Sequence, residues 1–323
     1  SGVDAQQGVG DAVWTRSRAP FGGGEEGGDG RERRGQAEVD AARGPAKEAA
    51  PALPIEAVRA VLGGEVQGGA REELAEVLDP ERFLAAGIDG CRAGWIVAGW
   101  DGTAWVLERV EALADVVPLM RQQATVCIDM PIGLSVTGVR QCDAAARRLL
   151  GPRRSSVFPA PPRMALVDRP YAELNTASKR RFDRGLSKQA FYLLPKIRET
   201  EALLRGGLYR AQQWLETHPE LCFTALNDGT PMQHNKKTDA GFRERISVLE
   251  RSLQYPIHSL INQMLERTLR SQVLRDDLVD AMVCGVVACL PTDRRMSVPV
   301  DEFEIDQVGL RMAITCPALP ASS

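Results

Sequence analysis

Five acidic residues occupy positions where a carboxylate is hard to explain as surface solvation. Asp89 closes an apolar segment in Gly87-Ile88-Asp89-Gly90, and Asp129 closes the apolar run Ala124–Ile128 just before Met130-Pro131. Glu220 follows His218-Pro219, where a strand should turn into a helix. Asp277 and Asp280 are three residues apart at the head of an apolar helix and so share one face of it. Helix capping accounts for Asp276 and in part for Asp277. It does not account for Asp280, because an acid inside an apolar helix needs a partner or an ion, nor for the two acids that end apolar strands. A hard divalent cation with oxygen ligands, Mg²⁺ or Mn²⁺, would stabilise all of them together. Two such ions ~4 Å apart would activate a water and stabilise the leaving oxygen in phosphodiester cleavage. Each acid alone is a weak signal, and their combined placement carries the inference.

The elements that must deliver these acids are legible from hydrophobic periodicity. A strand ends near Gly90, and a second covers Gly94–Trp100. Asp101-Gly102 marks a hairpin, and a third strand covers Ala104–Val110. A helix is expected over Leu113–Gln122, then a strand buried on both faces over Ala124–Asp129. Residues 139–212 read as a helical insertion, Trp214–His218 as a fifth strand, and Asp239–Arg251, Ile257–Arg270 and Asp276–Leu290 as the last helices. Gly285 inside the final helix costs ~1 kcal/mol against Ala, which predicts close helix–sheet packing. The order is α/β with a mixed five-stranded sheet flanked by helices. Trp95, Trp100 and Trp105 alternate along the hairpin and are read as packing residues rather than base-stacking platforms.

Composition sets the frame. Of 323 residues, 44% are hydrophobic and 26% charged, enough for a sizeable core, and no apolar stretch reaches the ~18–20 residues of a membrane span. Residues 1–54 are rich in Gly and poor in aliphatic side chains, so disorder is expected there, with the tail free to bind an unknown protein. Residues 55–84 read as a linker of short amphipathic helices, 86–315 as the folded domain, and 316–323 as a tail. The first residues show no basic segment followed by an apolar run, so no secretory signal is read there. Seven cysteines stand without a CxxC pair, which excludes a disulfide framework or zinc knuckle and fits a reducing, cytoplasmic setting. The net charge of −3 is uneven: residues 140–198 hold 14 basic and 4 acidic side chains. That stretch is either a solvated helical face or a surface for phosphates, and charge alone does not choose.

Several longer motifs carry a resemblance. Gly87-Ile88-Asp89-Gly90-Cys91-Arg92-Ala93-Gly94-Trp95, Ile128-Asp129-Met130-Pro131-Ile132-Gly133-Leu134, Ser156-Val157-Phe158-Pro159-Ala160, His218-Pro219-Glu220, Lys236-Lys237-Thr238 and Asp276-Asp277-Leu278-Val279-Asp280-Ala281 occur in this order. The sequence resembles a family of uncharacterised, predicted nucleases with a ribonuclease H-like fold, domain of unknown function 429. The resemblance implies metal-binding acids at Asp89 on the first strand, Asp129 on the fourth, and Asp277 and Asp280 on a late helix, with Glu220 as a further ligand or general base. By the same resemblance Lys237 would contact a scissile phosphate or pair with Glu220, and His218 would shuttle protons or be a satisfied buried histidine. Arg163, Lys188, Lys196 and Lys236 would bind phosphate, with surface solvation the competing account.

The expected function is therefore a Mg²⁺- or Mn²⁺-dependent nuclease acting on DNA or RNA, with a homodimer as one option because junction-cutting enzymes of similar fold pair up to make two symmetric cuts. A second reading is a non-catalytic, metal-stabilised module that binds nucleic acid or protein. A third is an actin-like ATPase or sugar kinase. It is disfavoured because Asp89-Gly90-Cys91-Arg92-Ala93-Gly94 lacks the hydroxyl residue of a phosphate-binding hairpin and no second Gly-rich loop follows.

Overall fold

The computed structural model describes residues 81–207, 212–300 and 303–319. The expectations for 1–54 and for nearly all of 55–84 fall outside the described residues. Three antiparallel strands come first: β1 (Phe83–Cys91), β2 (Gly94–Trp100) and β3 (Trp105–Val110). After a short 3₁₀ segment, β4 (Met120–Ile128) runs parallel to β1. The helices α1 (Gln141–Leu149), α2 (Tyr171–Phe182) and α3 (Lys188–Gly206) form the basic stretch, and β5 (Gln213–Thr217) joins β4 in parallel. Then come α4 (Pro219–Leu226), α5 (Asp239–Leu253), α6 (Ile257–Arg267) and α7 (Arg275–Cys289). Four short strands close the chain: β6 (Arg295–Val298), β7 (Glu304–Ile305), β8 (Arg311–Met312) and β9 (Ile314–Pro317).

The central sheet has seven strands in the order β3-β2-β1-β4-β5-β9-β6, not the expected five. The two added strands have four residues each, too short a run for periodicity to reveal them. Their pairing also brings Cys316 and Pro317 into the sheet, residues the sequence assigned to a tail. At the other end β1 starts at Phe83, three residues before the expected onset. The helix expected over Leu113–Gln122 is a 3₁₀ segment, Leu113–Leu119, and the next residues already belong to β4. Its buried residues Leu113, Val116 and Leu119 recur every third position, the 3₁₀ period, and Pro118 supplies no N–H to continue an α-helix.

Side-chain alternation sends the strands' residues into two separate cores. Ala85, Cys91, Ile96, Ala98, Trp100 and Cys127 face α4–α7, while Ala86, Ile88, Trp95, Val97, Val126 and Ile128 face α3 and the 3₁₀ segment. The three hairpin tryptophans are at most 4% exposed, which bears out their reading as packing residues. On the first face α7 lies so close to β1 that a Cβ on Gly87 would be 1.9 Å from the Gly285 amide nitrogen and 2.1 Å from the Ala281 carbonyl oxygen. The two backbones touch, as Gly285 led one to expect. No helix among the described residues is long and apolar enough to cross a membrane.

Candidate metal centre

Parallel pairing positions the first two acids. Ile88 of β1 is in register with Ile128 of β4, and the Asp129 amide donates to the Ile88 carbonyl at 2.9 Å. The next residue of each strand, Asp89 and Asp129, therefore leaves the sheet side by side on the face that α7 covers. Asp280, 1% exposed, arrives from the second turn of α7. One oxygen from each of the three carboxylates lies within 4.8 Å of the others.

Among the described residues nothing fully offsets this concentration of negative charge. Burial, then the charges of Asp129 and Asp280, push Asp89 well above the usual carboxylate range. Burial and Asp280 push Asp129 up to about 7. Asp280 is raised by burial as well, although the Lys236 ammonium bonded to it pulls in the opposite direction. That ammonium is held well above its ordinary value, chiefly by Asp280.

The three acids sit at the base of a cleft of about 460 Å³. Glu220, at the head of α4, reaches the same cleft. One of its oxygens accepts from Arg245 of α5, and the other has no hydrogen-bond partner, with Arg153 at 3.8 Å. His218 lines the cleft with Nε2 at 3.3 Å from the Ser156 carbonyl and Nδ1 unpartnered, so it is only half satisfied. Burial lowers its pKa, leaving the ring neutral near pH 7.

The sequence paired Asp277 with Asp280, and the structure separates them. Asp277 accepts from the Leu274 amide at 2.9 Å and closes the N-terminal turn of α7. It is absent from the three-carboxylate group, and burial raises its pKa to about 6. Three residues on a helix share a face, but the first turn offers an unpaired amide and the second does not, so the upstream acid is drawn to the backbone.

The lysines also sort differently from expectation. Lys237 is exposed on the cleft wall and does not pair with Glu220, whose cationic partners are Arg245 and Arg153. The ammonium inside the site belongs to Lys236. Lys196 lines the cleft, but its Nζ donates to the Gly94 carbonyl at 2.6 Å and lies 4.2 Å from the centre of the Trp95 ring. Its stem fills the space over Gly90. Arg163 is tied to Glu201 and Asp306 and braces the C-terminal hairpin loop against Leu134. Lys188 is exposed in the first turn of α3 and does not line the cleft.

A second group that meets metal-ligand spacing, Cys142, Asp143 and Glu216, is already filled. The Arg140 guanidinium bonds both carboxylates, and the Ala160 and Ile132 amides take the remaining oxygens. Sequence reasoning missed Arg140 and Arg245. The second had a usable signal: Phe242, Arg245, Ile246 and Leu249 form one helical stripe, and an arginine within an apolar stripe announces a buried acid partner.

Neither a curated protein nor a solved structure matches the chain. One family model, described as a protein of unknown function (DUF429), matches residues 87–303, more than half of the chain. All three clustered acids, Glu220 and Lys236 lie inside that match, and the chain belongs to the DUF429 family.

Proposed function

We propose that this protein is a divalent-cation-dependent phosphodiesterase acting on nucleic acid, built on a ribonuclease H-like sheet. The observation that carries the proposal is the convergence of Asp89, Asp129 and Asp280 from β1, β4 and α7, with oxygens within 4.8 Å. The strand order β3-β2-β1-β4-β5, three antiparallel strands followed by two parallel ones, supports the fold assignment. The donor set fits a hard cation: it is all carboxylate oxygen, its acids are poorly neutralised, and the one positive group among them is an ammonium on Asp280. A bound Mg²⁺ or Mn²⁺ supplies charge stabilisation for phosphoryl oxygens and acidifies water.

The chain's own residues account for the remaining work. Asp89, Asp129 and Asp280 hold the cation, with Asp89 fixed further by its bond from the Gly90 amide at 2.7 Å. Glu220 offers an unpartnered oxygen in the cleft to accept a proton from the attacking water. Neutral His218, with a free Nδ1, is a second proton relay. Lys236 and Lys237 stand on the wall to receive phosphate oxygens.

Cleavage of labelled DNA and RNA of defined structure, with Mg²⁺ or Mn²⁺, tests this against Asp129→Asn and Asp280→Asn prepared in parallel. Loss in both variants supports the proposal, and equal cleavage in all three overturns it. The Lys236–Asp280 bond favours one other reading, in which the ammonium is the permanent cation of a non-catalytic binding module. Nucleic-acid binding that needs no metal, with no cleavage of any substrate, would select that reading.

A further inference from the structure

Beside the acid cleft lies a second groove of about 430 Å³, with Val139 and Pro159 on its floor and Arg147, Arg148, Arg154 and Arg184 around it. We infer that this groove holds a backbone phosphate of the same nucleic-acid strand whose scissile phosphate lies at the three carboxylates, an inference that rests on the reading given above.

Three of the four arginines in this groove have no partner among the described residues. Arg147 is anchored by a bond to the Val157 carbonyl at 2.6 Å. Arg148, Arg154 and Arg184 are exposed, and their guanidinium groups form no ion pair or hydrogen bond with a described residue. The one acid on the wall, Asp143, is consumed by Arg140 and the Ala160 amide. Gathering unpaired guanidinium groups around a concave surface costs repulsion, which a polyanion removes while releasing its condensed counterions.

The position of the groove identifies the ligand as a polymer. A short 3₁₀ segment, Gly151–Ser156, contributes to the lining of both sites. Arg153, Ser155 and Ser156 line the acid cleft, whereas Gly151 and Arg154 line the arginine groove. An anion that engages both the arginines and a cation at the carboxylates needs a phosphate at each site, and a strand crossing this segment meets that requirement. Guanidinium is also the side chain best shaped for phosphate, since it donates two parallel N–H bonds.

The test is fluorescence anisotropy with a labelled single strand of about 20 nucleotides, in chelator, over a range of salt concentrations. The triple variant Arg148→Gln, Arg154→Gln, Arg184→Gln is compared with wild type and with Arg243→Gln, Arg267→Gln, Arg270→Gln, which removes the same charge elsewhere. We expect the groove variant to bind at least about 10-fold more weakly and to lose about 0.7 from the salt slope, the share of one phosphate contact on a single strand. The control variant should retain its affinity. Equal weakening of both variants, or no binding by wild type, overturns the inference. Groove-dependent binding without cleavage leaves the groove standing and removes the phosphodiesterase. Cleavage whose KM is the same in wild type and the groove variant does the reverse.

Discussion

Lys236 bonds its ammonium to Asp280 inside a group of three carboxylates, where a cation of higher charge would find its ligands. The lysine neutralises one acid of the three and leaves the other two, Asp89 and Asp129, with raised pKa values. The cation-free protein is therefore folded at the cost of like charges held together, and this tension produces measurable consequences.

Asp129→Asn removes one of those charges. We expect it to raise the Tm of the chelated protein by roughly 2–4 °C, corresponding to about 1 kcal/mol. The same variant should lose the Tm increase that Mn²⁺ gives wild type, and its cleavage rate should fall by at least about 100-fold. Differential scanning fluorimetry with and without Mn²⁺ measures both thermal effects, and a chelated Tm below that of wild type would contradict this account.

Lys236→Met acts in the opposite direction. Breaking a fully buried ion pair costs about 3–5 kcal/mol. The Lys236 side chain is 38% exposed, so water takes up part of that loss and we expect about 1–2 kcal/mol. Stability should then depend more steeply on Mg²⁺ than in wild type. Denaturant titration at several Mg²⁺ concentrations checks this.

The pH dependence of the chelated protein follows from Asp129. Its carboxyl holds a proton in the folded state up to about pH 7, against an ordinary value of 3.8. The folded chain thus binds more protons than the unfolded one between these limits. Its contribution to stability is complete below about pH 4 and is lost as pH rises through about 7. Cation affinity follows the reverse course, increasing over the same interval because binding must expel the proton. Tm measured in chelator and Mn²⁺ affinity by calorimetry, both between pH 5 and 8, should slope in opposite directions.

Arg245→Met separates a structural from a chemical role for Glu220. Arg245 is 1% exposed and its loss strands a buried carboxylate, at about 3–5 kcal/mol. Adding Glu220→Gln removes the stranded charge, and we expect the double variant to recover most of the lost stability. A double variant no more stable than Arg245→Met would show that the cost is one of packing alone.

Much of this was legible in the sequence, for physical reasons that differ by element. β2 is readable to the residue because Gly94 and Asp101-Gly102 bound an apolar run, α5 and α6 because each carries an apolar stripe at helical spacing, and α7 because it is a continuous apolar run too long for a strand. Asp89, Asp129 and Asp280 were visible because each interrupts a pattern that excludes charge. Leu113, Val116 and Leu119 also fall within an arc of about 120° on an α-helix, so the 3₁₀ segment reads equally as one apolar helical face. The identity of the cation partners was hidden. Whether Lys236 or Lys237 turns inward, and whether Glu220 meets a lysine or Arg245, depends on how loops and helices dock, which spacing along the chain does not encode.

The backbone contact between Gly87 and α7 bears on which ion the protein accepts. Gly87 lies two residues before Asp89, and Ala281 and Gly285, which it touches, flank the turn that follows Asp280. The separation of the Asp89 and Asp280 backbones is thus set by main chain against main chain. Mg²⁺ requires oxygens at about 2.0–2.1 Å and Ca²⁺ accepts about 2.3–2.6 Å. In the proposed metal centre ionic radius would therefore be sensed at a position that bears no side chain, and Gly87→Ala, by wedging the helix from the sheet, is expected to favour the larger ion.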